Sequence, residues 1–326
     1  MSEMQPRPSL THPGPREARG AMRLHRRRRR LIGISVLPTL LTLGNLVCGF
    51  AAIHYASKPI GPTEVFGWST LTIAGALVFL GMVFDGIDGL AARLTRSASE
   101  FGAQLDSMAD MVTFGVAPAY MMLRLVGYYY GGPENYTGVL GPDADSVYGK
   151  VIWGIAAFYI CCTALRLARF NVETVSHAEE DHRNFRGLPS PGAAGAVASL
   201  IILHQHLWVT RFNEVAPPGF GATSSLAIPI VTVFCSAAMV SRLRYAHIIN
   251  RYLRGKRSFA YVAWIVAPIV LAIWWFQITL AVLFTAYLLS GPILTALGRG
   301  KPRHVLPAAE PVEGAAVGQR TQPPAP

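Results

Sequence analysis

Between Asp85 and Asp110 the chain reads DGIDGLAARLTRSASEFGAQLDSMAD, with an aspartate pair at each end and arginines between. Asp85 and Asp88 are three residues apart. On a helix that spacing puts both side chains on one face, with Cβ atoms roughly 5–6 Å apart. Asp106 and Asp110, four apart, share a face in the same way. Ala92 falls near the stripe of the first pair, and Gly102 near that of the second. Ser97-Ala-Ser-Glu100 fits a capping box that opens a helix. The stretch therefore predicts a helix leaving a membrane, a turn near Thr95–Ala98, and a helix re-entering. Its two aspartate pairs meet across the hairpin.

Carboxylates gathered this closely repel one another and cannot all stay ionised without compensation. Hard divalent cations relieve that repulsion, because carboxylate oxygen suits Mg²⁺, Mn²⁺ or Ca²⁺. Four aspartates are enough for two ions, and paired ions clamp a phosphoryl group between its attacking and leaving oxygens. Gly86, Gly89 and Gly102 remove side chains where a ligand or a facing helix must come close. Arg93 ends the first helix, and its planar fork suits a diphosphate. Aspartates at helix ends also serve as caps or solvated groups. Against that stands the full pattern D-x2-D-G-x2-A-R-x8-G-x3-D-x3-D, with eight fixed positions. Its chance occurrence is on the order of one in 10⁹ per starting point.

The elements that position these acids are apolar. Of 326 residues, 52% are hydrophobic and 14% charged, against about 25% charged in an ordinary soluble domain. Windows near the roughly 20 residues that cross a bilayer fall at 32–56, 66–87, 104–127, 150–170, 192–210, 223–241, 258–275 and 277–297. A tight turn around Gln277 is expected between the last two. Backbone groups must pair internally in lipid, so the spans are helices. The fold class is an all-α polytopic membrane protein of about eight transmembrane helices.

Net charge, +11, concentrates in His25–Arg30, Arg166–Arg186, Arg242–Arg257 and Arg299–His304. The alternating connections are poor in Lys and Arg. By the positive-inside rule both termini and the aspartate hairpin face the cytoplasm, in a cell (inner) membrane. Juxtamembrane basic runs hold anionic lipid head groups, so membrane lipids rather than nucleic acid are the expected partners. Residues 1–30 read as a basic, largely disordered tail, 31–300 as the transmembrane catalytic domain, and 301–326 as a disordered tail. Cys48, Cys161, Cys162 and Cys235 lack metal-site spacing and read as packing residues.

The aspartate pattern resembles the signature of the CDP-alcohol phosphotransferases, membrane enzymes that move a phosphate-bearing group from a CDP-linked donor to an alcohol and release CMP. Asp85, Asp88, Gly89, Ala92, Arg93, Gly102, Asp106 and Asp110 match it without a gap. The resemblance implies a helical bundle of that family's type and a homodimer. It implies a site for two divalent cations, Mg²⁺ or Mn²⁺, held by Asp85, Asp88, Asp106 and Asp110. Asp110 would also be the base that takes the acceptor's proton. Gly89, Ala92 and Gly102 would line the nucleotide pocket, with Arg93 near the phosphates.

Three further segments resemble the phosphatidylserine synthase branch, which joins CDP-diacylglycerol to L-serine: TLGNLVCGF (Thr42–Phe50), LRLARFN (Leu165–Asn171) and RGLPSPG (Arg186–Gly192). Serine is a zwitterion, so its site must hold a carboxylate. Arg166 and Arg169, three apart on one helix face, suit that carboxylate or a donor phosphate, and equally suit anchoring at head groups. Asn45, an amide inside a span, calls for a helix–helix hydrogen bond or contact with CDP. The rival acceptors are glycerol 3-phosphate, inositol and choline, and the rival class is a cation transporter. A transporter places its acids near mid-bilayer on broken helices, whereas these lie at a span end beside Arg93 and Arg96.

Overall fold

The computed structural model describes residues 37–63, 67–95, 99–131, 140–176, 185–207, 219–241, 243–245 and 275–297. Its helices are α1 (Leu37–Ser57), α2 (Thr70–Thr95), α3 (Glu100–Asp110), α4 (Ala117–Gly131), α5 (Val147–Ser176), α6 (Ser190–His206), α7 (Phe220–Ser225), α8 (Ala227–Val240) and α9 (Phe276–Ala296). A π-helical turn, Met111–Val116, joins α3 to α4 without a break.

The bundle is an all-α membrane architecture. Among the described residues six stretches are long and apolar enough to cross a membrane: Leu37–Ser57, Thr70–Ala92, Glu100–Gly131, Val147–Val172, Gly221–Val240 and Phe276–Ala296. Each expected window except 258–275 coincides with a helix, and that window lies outside the described residues apart from Trp275. The tails at 1–30 and 301–326 lie outside them too. The turn expected around Gln277 is not there: α9 already starts at Phe276, with Trp275 as its N-cap. The capping box is displaced. The N-cap of α3 is Ser99, whose Oγ accepts from the Gly102 amide at 3.0 Å, and the third helical residue is then glycine rather than Glu100.

Packing on α1 is inverted relative to a soluble protein. On α1, Leu40, Val47 and Phe50 are exposed while Thr42, Asn45, Cys48, Ala52 and Ala56 are buried. Large apolar side chains meet the lipid, and small or polar ones meet other helices, as expected where lipid is the solvent. The centre is α6, 17 residues long and about 25 Å of helix. It is built of SPGAAGAVAS and packs against α2, α4, α8 and α9. Gly192 and Gly195 of α6 admit the rings of Tyr287 and Phe284 from α9.

The two basic loops meet. Phe185–Arg186 (β1) pairs antiparallel with Arg244–Tyr245 (β2), and the Gly187 amide donates to the Leu243 carbonyl at 2.8 Å. Gly187 sits at φ +88°, and a Cβ there would lie 2.5 Å from the Met239 carbonyl oxygen. Both loops therefore close the same end of the bundle. Near the other end Arg124 of α4, 4% exposed, caps the last turn of α1. Its Nε donates to the Ala56 carbonyl at 2.7 Å, and its Nη2 to those of Lys58 and Ser57 at 2.9 and 3.2 Å.

Arg124→Leu strips three helix-end carbonyls of a charged donor, at a cost of about 3 kcal/mol. The expected result is a thermal midpoint in detergent several degrees below that of the parent. An unchanged midpoint would refute the capping role.

Candidate active site

Two glycines bring the site's helices together, and neither belongs to the aspartate stretch. A Cβ on Gly49 of α1 would stand 2.8 Å from Cα and 2.9 Å from N of Thr113, in the π-helical turn. A Cβ on Gly81 of α2 would stand 2.6 Å from Thr113 Cγ2 and 2.8 Å from Asn45 Oδ1. Without side chains there, α1, α2 and the π turn converge on Thr113, whose hydroxyl donates to the Asn45 carbonyl at 2.9 Å. From the far side Tyr159 of α5 donates to the Phe114 carbonyl at 3.0 Å. The extra residue of a π turn is thus fixed from both flanks, immediately after Asp110. Such turns interrupt helices most often at functional sites.

The acids gather where the hairpin places them. Carboxylate oxygens of Asp85 and Asp88, from α2, and Asp106, from α3, lie within 4.8 Å of one another. Asp88 is buried and accepts from the Thr42 hydroxyl at 2.8 Å. One oxygen of Asp106 is buried without a hydrogen-bond partner. Asp110 is buried a turn deeper and is not one of the three clustered acids; its Oδ1 accepts from Asn45 Nδ2 at 3.0 Å. It still interacts electrostatically with Asp85, Asp106 and Asp88. Three clustered carboxylates, one with an oxygen lacking any donor, form a hard-oxygen set that fits a divalent cation.

Arg166 sets one positive charge against the acids. It reaches from α5 to the first turn of α6, where its Nη1 donates to Ser190 Oγ at 2.6 Å. Its charge acts on Asp110 and Asp85. Arg169, a turn further, is half-buried. Asn171 and Ser107, bonded at 2.9 Å, tie the end of α5 to α3 between Asp106 and Asp110. Arg93 lies on α2, and its side chain is outside the described residues.

Of the two readings left open for Gly86 and Gly89, a ligand or a facing helix, the helix is not found: no atom of the described residues lies within 4 Å of where a Cβ would stand on either. They border open space beside the acids. Gly102 meets only its own cap, Ser99 Oγ, at 3.1 Å. Asn45 makes the helix–helix bond. Thr42 and Ser190 both lie inside motifs quoted above, but their contacts depend on how separate helices pair, which sequence spacing does not show.

The sequence pattern of the CDP-alcohol phosphatidyltransferase family matches residues 35–233. The chain belongs to that family. A CDP-diacylglycerol–serine O-phosphatidyltransferase of Helicobacter pylori is 31% identical over 210 residues, 64% of this chain and 71% of that protein. One of Bacillus subtilis is 28% identical over 214 residues, 66% of this chain and 92% of its own length. One of Methanocaldococcus jannaschii is 32% identical over 166 residues, covering 51% and 59%. The chain is thus a membrane-embedded transferase of phospholipid synthesis, and the family pattern spans every aspartate of the cluster.

Gly49→Ala should drive α1 away from the π turn and part Asn45 from Asp110, lowering activity at least tenfold. Gly154→Ala, where a Cβ meets nothing within 4 Å, is the matched control and should keep full activity. Equal behaviour of the two variants would contradict the close-approach argument.

Proposed function

We propose that the protein transfers the phosphatidyl group of CDP-diacylglycerol to the hydroxyl of L-serine, yielding phosphatidylserine and CMP, at the cytoplasmic face of the cell membrane. The observation that carries the reading is the meeting of Asp85, Asp88 and Asp106 within 4.8 Å, flanked by Asp110 and Arg166. The printed names of the relatives and the segments at Thr42–Phe50, Leu165–Asn171 and Arg186–Gly192 support serine as acceptor.

Asp85, Asp88, Asp106 and Asp110 would hold two divalent cations, Mg²⁺ or Mn²⁺, whose charge offsets that of the diphosphate and of departing CMP. Open space beside Gly86 and Gly89 admits the cytidine diphosphate, with Ala92 and Gly102 at its edges and Arg93 toward the phosphates. Thr42 fixes the Asp88 carboxylate. Asn45 holds one oxygen of Asp110 and leaves the other to accept the serine hydroxyl proton. The serine oxygen forms a bond to the phosphorus that bears diacylglycerol. The anhydride bond to CMP breaks, and CMP carries away the electron pair. Arg166, steadied by Ser190, receives the serine carboxylate, and Arg169 guards the mouth of the site. Acyl chains remain in lipid throughout, beside the exposed apolar faces of α1 and α2.

Asp110→Asn should reduce CMP release by at least 10³-fold while CDP-diacylglycerol still binds. Near-parental turnover in that variant rules out the assigned base. Purified protein stripped with a chelator should lose CMP release and regain it on adding Mn²⁺ or Mg²⁺. Offered serine, glycerol 3-phosphate, inositol and choline in turn, it should release CMP with serine; release only with another alcohol moves the assignment to a sister reaction.

A further inference from the structure

The helix α9 lies wholly beyond residues 35–233, the stretch that the family pattern matches, yet one of its side chains reaches the site. The ring of Tyr287 rests on the first turn of α6: a Cβ on Gly192 would lie 2.8 Å from its Cε1. That same turn carries Ser190, the partner of Arg166. Behind it stands Tyr245 of β2, 2% exposed. Its ring centroid is 5.7 Å from that of Tyr287, and its hydroxyl donates to the Leu288 carbonyl at 3.2 Å. Gly291 leaves room for the Tyr245 ring. The position of the Tyr287 ring is therefore set by packing on both sides.

Its hydroxyl is not used by that packing. Tyr287 interacts electrostatically with Arg166, and its hydroxyl makes no hydrogen bond to any described residue. Arg166 Nε, in turn, is buried without a partner. Tyr287 and Arg166 both reach the first turn of α6, and a phenol and a guanidinium whose donors have no partner among the described residues suit an oxyanion. Two anions enter this site, the acceptor's and the donor's diphosphate. Arg166 is coupled electrostatically to Asp110 and to Asp85, so these donors serve the side of the site that holds the proposed base, where the acceptor hydroxyl must sit. The open space at Gly86 and Gly89 is on α2, which carries two of the three clustered acids.

We infer that Tyr287 is a binding residue for the acceptor, its phenolic hydroxyl acting with Arg166 to hold the acceptor's anionic group. The inference rests on the reading of the site given under the proposed function, and it adds a residue from outside the family-matched segment. Selection among acceptors then depends on α9 as well as on α5.

Tyr287→Phe removes the hydroxyl and keeps the ring that Gly192 and Tyr245 hold. With purified enzyme in mixed micelles, KM for L-serine should rise about tenfold, the effect of one hydrogen bond to a charged group. KM for CDP-diacylglycerol and the thermal midpoint of the unliganded protein should stay as in the parent. The stabilisation that added L-serine gives the parent should shrink in the variant. Unchanged KM for serine overturns the inference, and so does a rise confined to CDP-diacylglycerol, which assigns the hydroxyl to the donor. Parental enzyme that ignores serine and uses glycerol 3-phosphate instead sinks the serine assignment alone. The same comparison of KM values with that acceptor then decides the role of Tyr287.

Discussion

A carboxylate beside hydrocarbon is costly unless matching charge and hydrogen-bond donors surround it. The bundle answers that demand at the α2–α3 hairpin. Thr42 supplies a donor to Asp88, Asn45 supplies one to Asp110, and Arg166 supplies the countercharge. Two of these groups come from α1 and the third from α5, steadied by Ser190 of α6, so the acids are satisfied only when α1, α5 and α6 are all docked. Burying them is thereby linked to completing the fold. The demand left over, the unpartnered Asp106 oxygen within the clustered acids, is the part that protein groups do not meet and a cation can.

The rest of the architecture follows from letting helices approach closely enough to deliver those donors. Hydrophobicity does not draw helices together in lipid, so shape does. Gly49 and Gly81 give up their side chains where α1 and α2 meet the π turn, and α6 is built from alanine, glycine and serine where four helices press on it. The π turn follows from the same geometry. By adding a residue directly after Asp110, it offsets α4 from α3, and Thr113 and Phe114 are anchored to α1 and α5 at that offset.

Much of this was legible in the sequence. The helical windows, the hairpin and the convergence of Asp85, Asp88 and Asp106 follow from hydrophobic runs and from three- and four-residue spacings, which are local properties. The errors are local too, and small. A serine two residues further on caps α3: the Ser99 Oγ accepts from the amide of Gly102. Gly86 and Gly89 are not among the errors: spacing leaves a ligand and a facing helix as equal readings, and the open space there keeps the ligand. What was illegible depends on pairing between distant segments. Thr42 with Asp88, Arg166 with Ser190 and the β1–β2 contact each join residues whose types gave no hint of one another. Arg124 is the clearest case: a lone arginine in an apolar helix, its role is visible only once the end of α1 lies beside it.

The division of labour around the site has a consequence for how such an enzyme chooses its alcohol. Groups assigned to the donor and to the chemistry come from one continuous segment, Thr42 to Asp110, folded as α1 to α3. Groups assigned to the acceptor come from Arg166, Ser190 and Tyr287, on α5, α6 and α9. The two sets touch chiefly through the electrostatic pairing of Arg166 with Asp110 and Asp85. Side chains on the second wall can change without disturbing the carboxylates, provided a positive charge stays opposite Asp110. A neutral replacement there would leave Asp110 buried beside three other acids with one donor, Asn45, to support it. The acceptor wall is therefore free to vary in shape and hydrogen bonding but constrained in charge, which favours alcohols that bring an anion of their own.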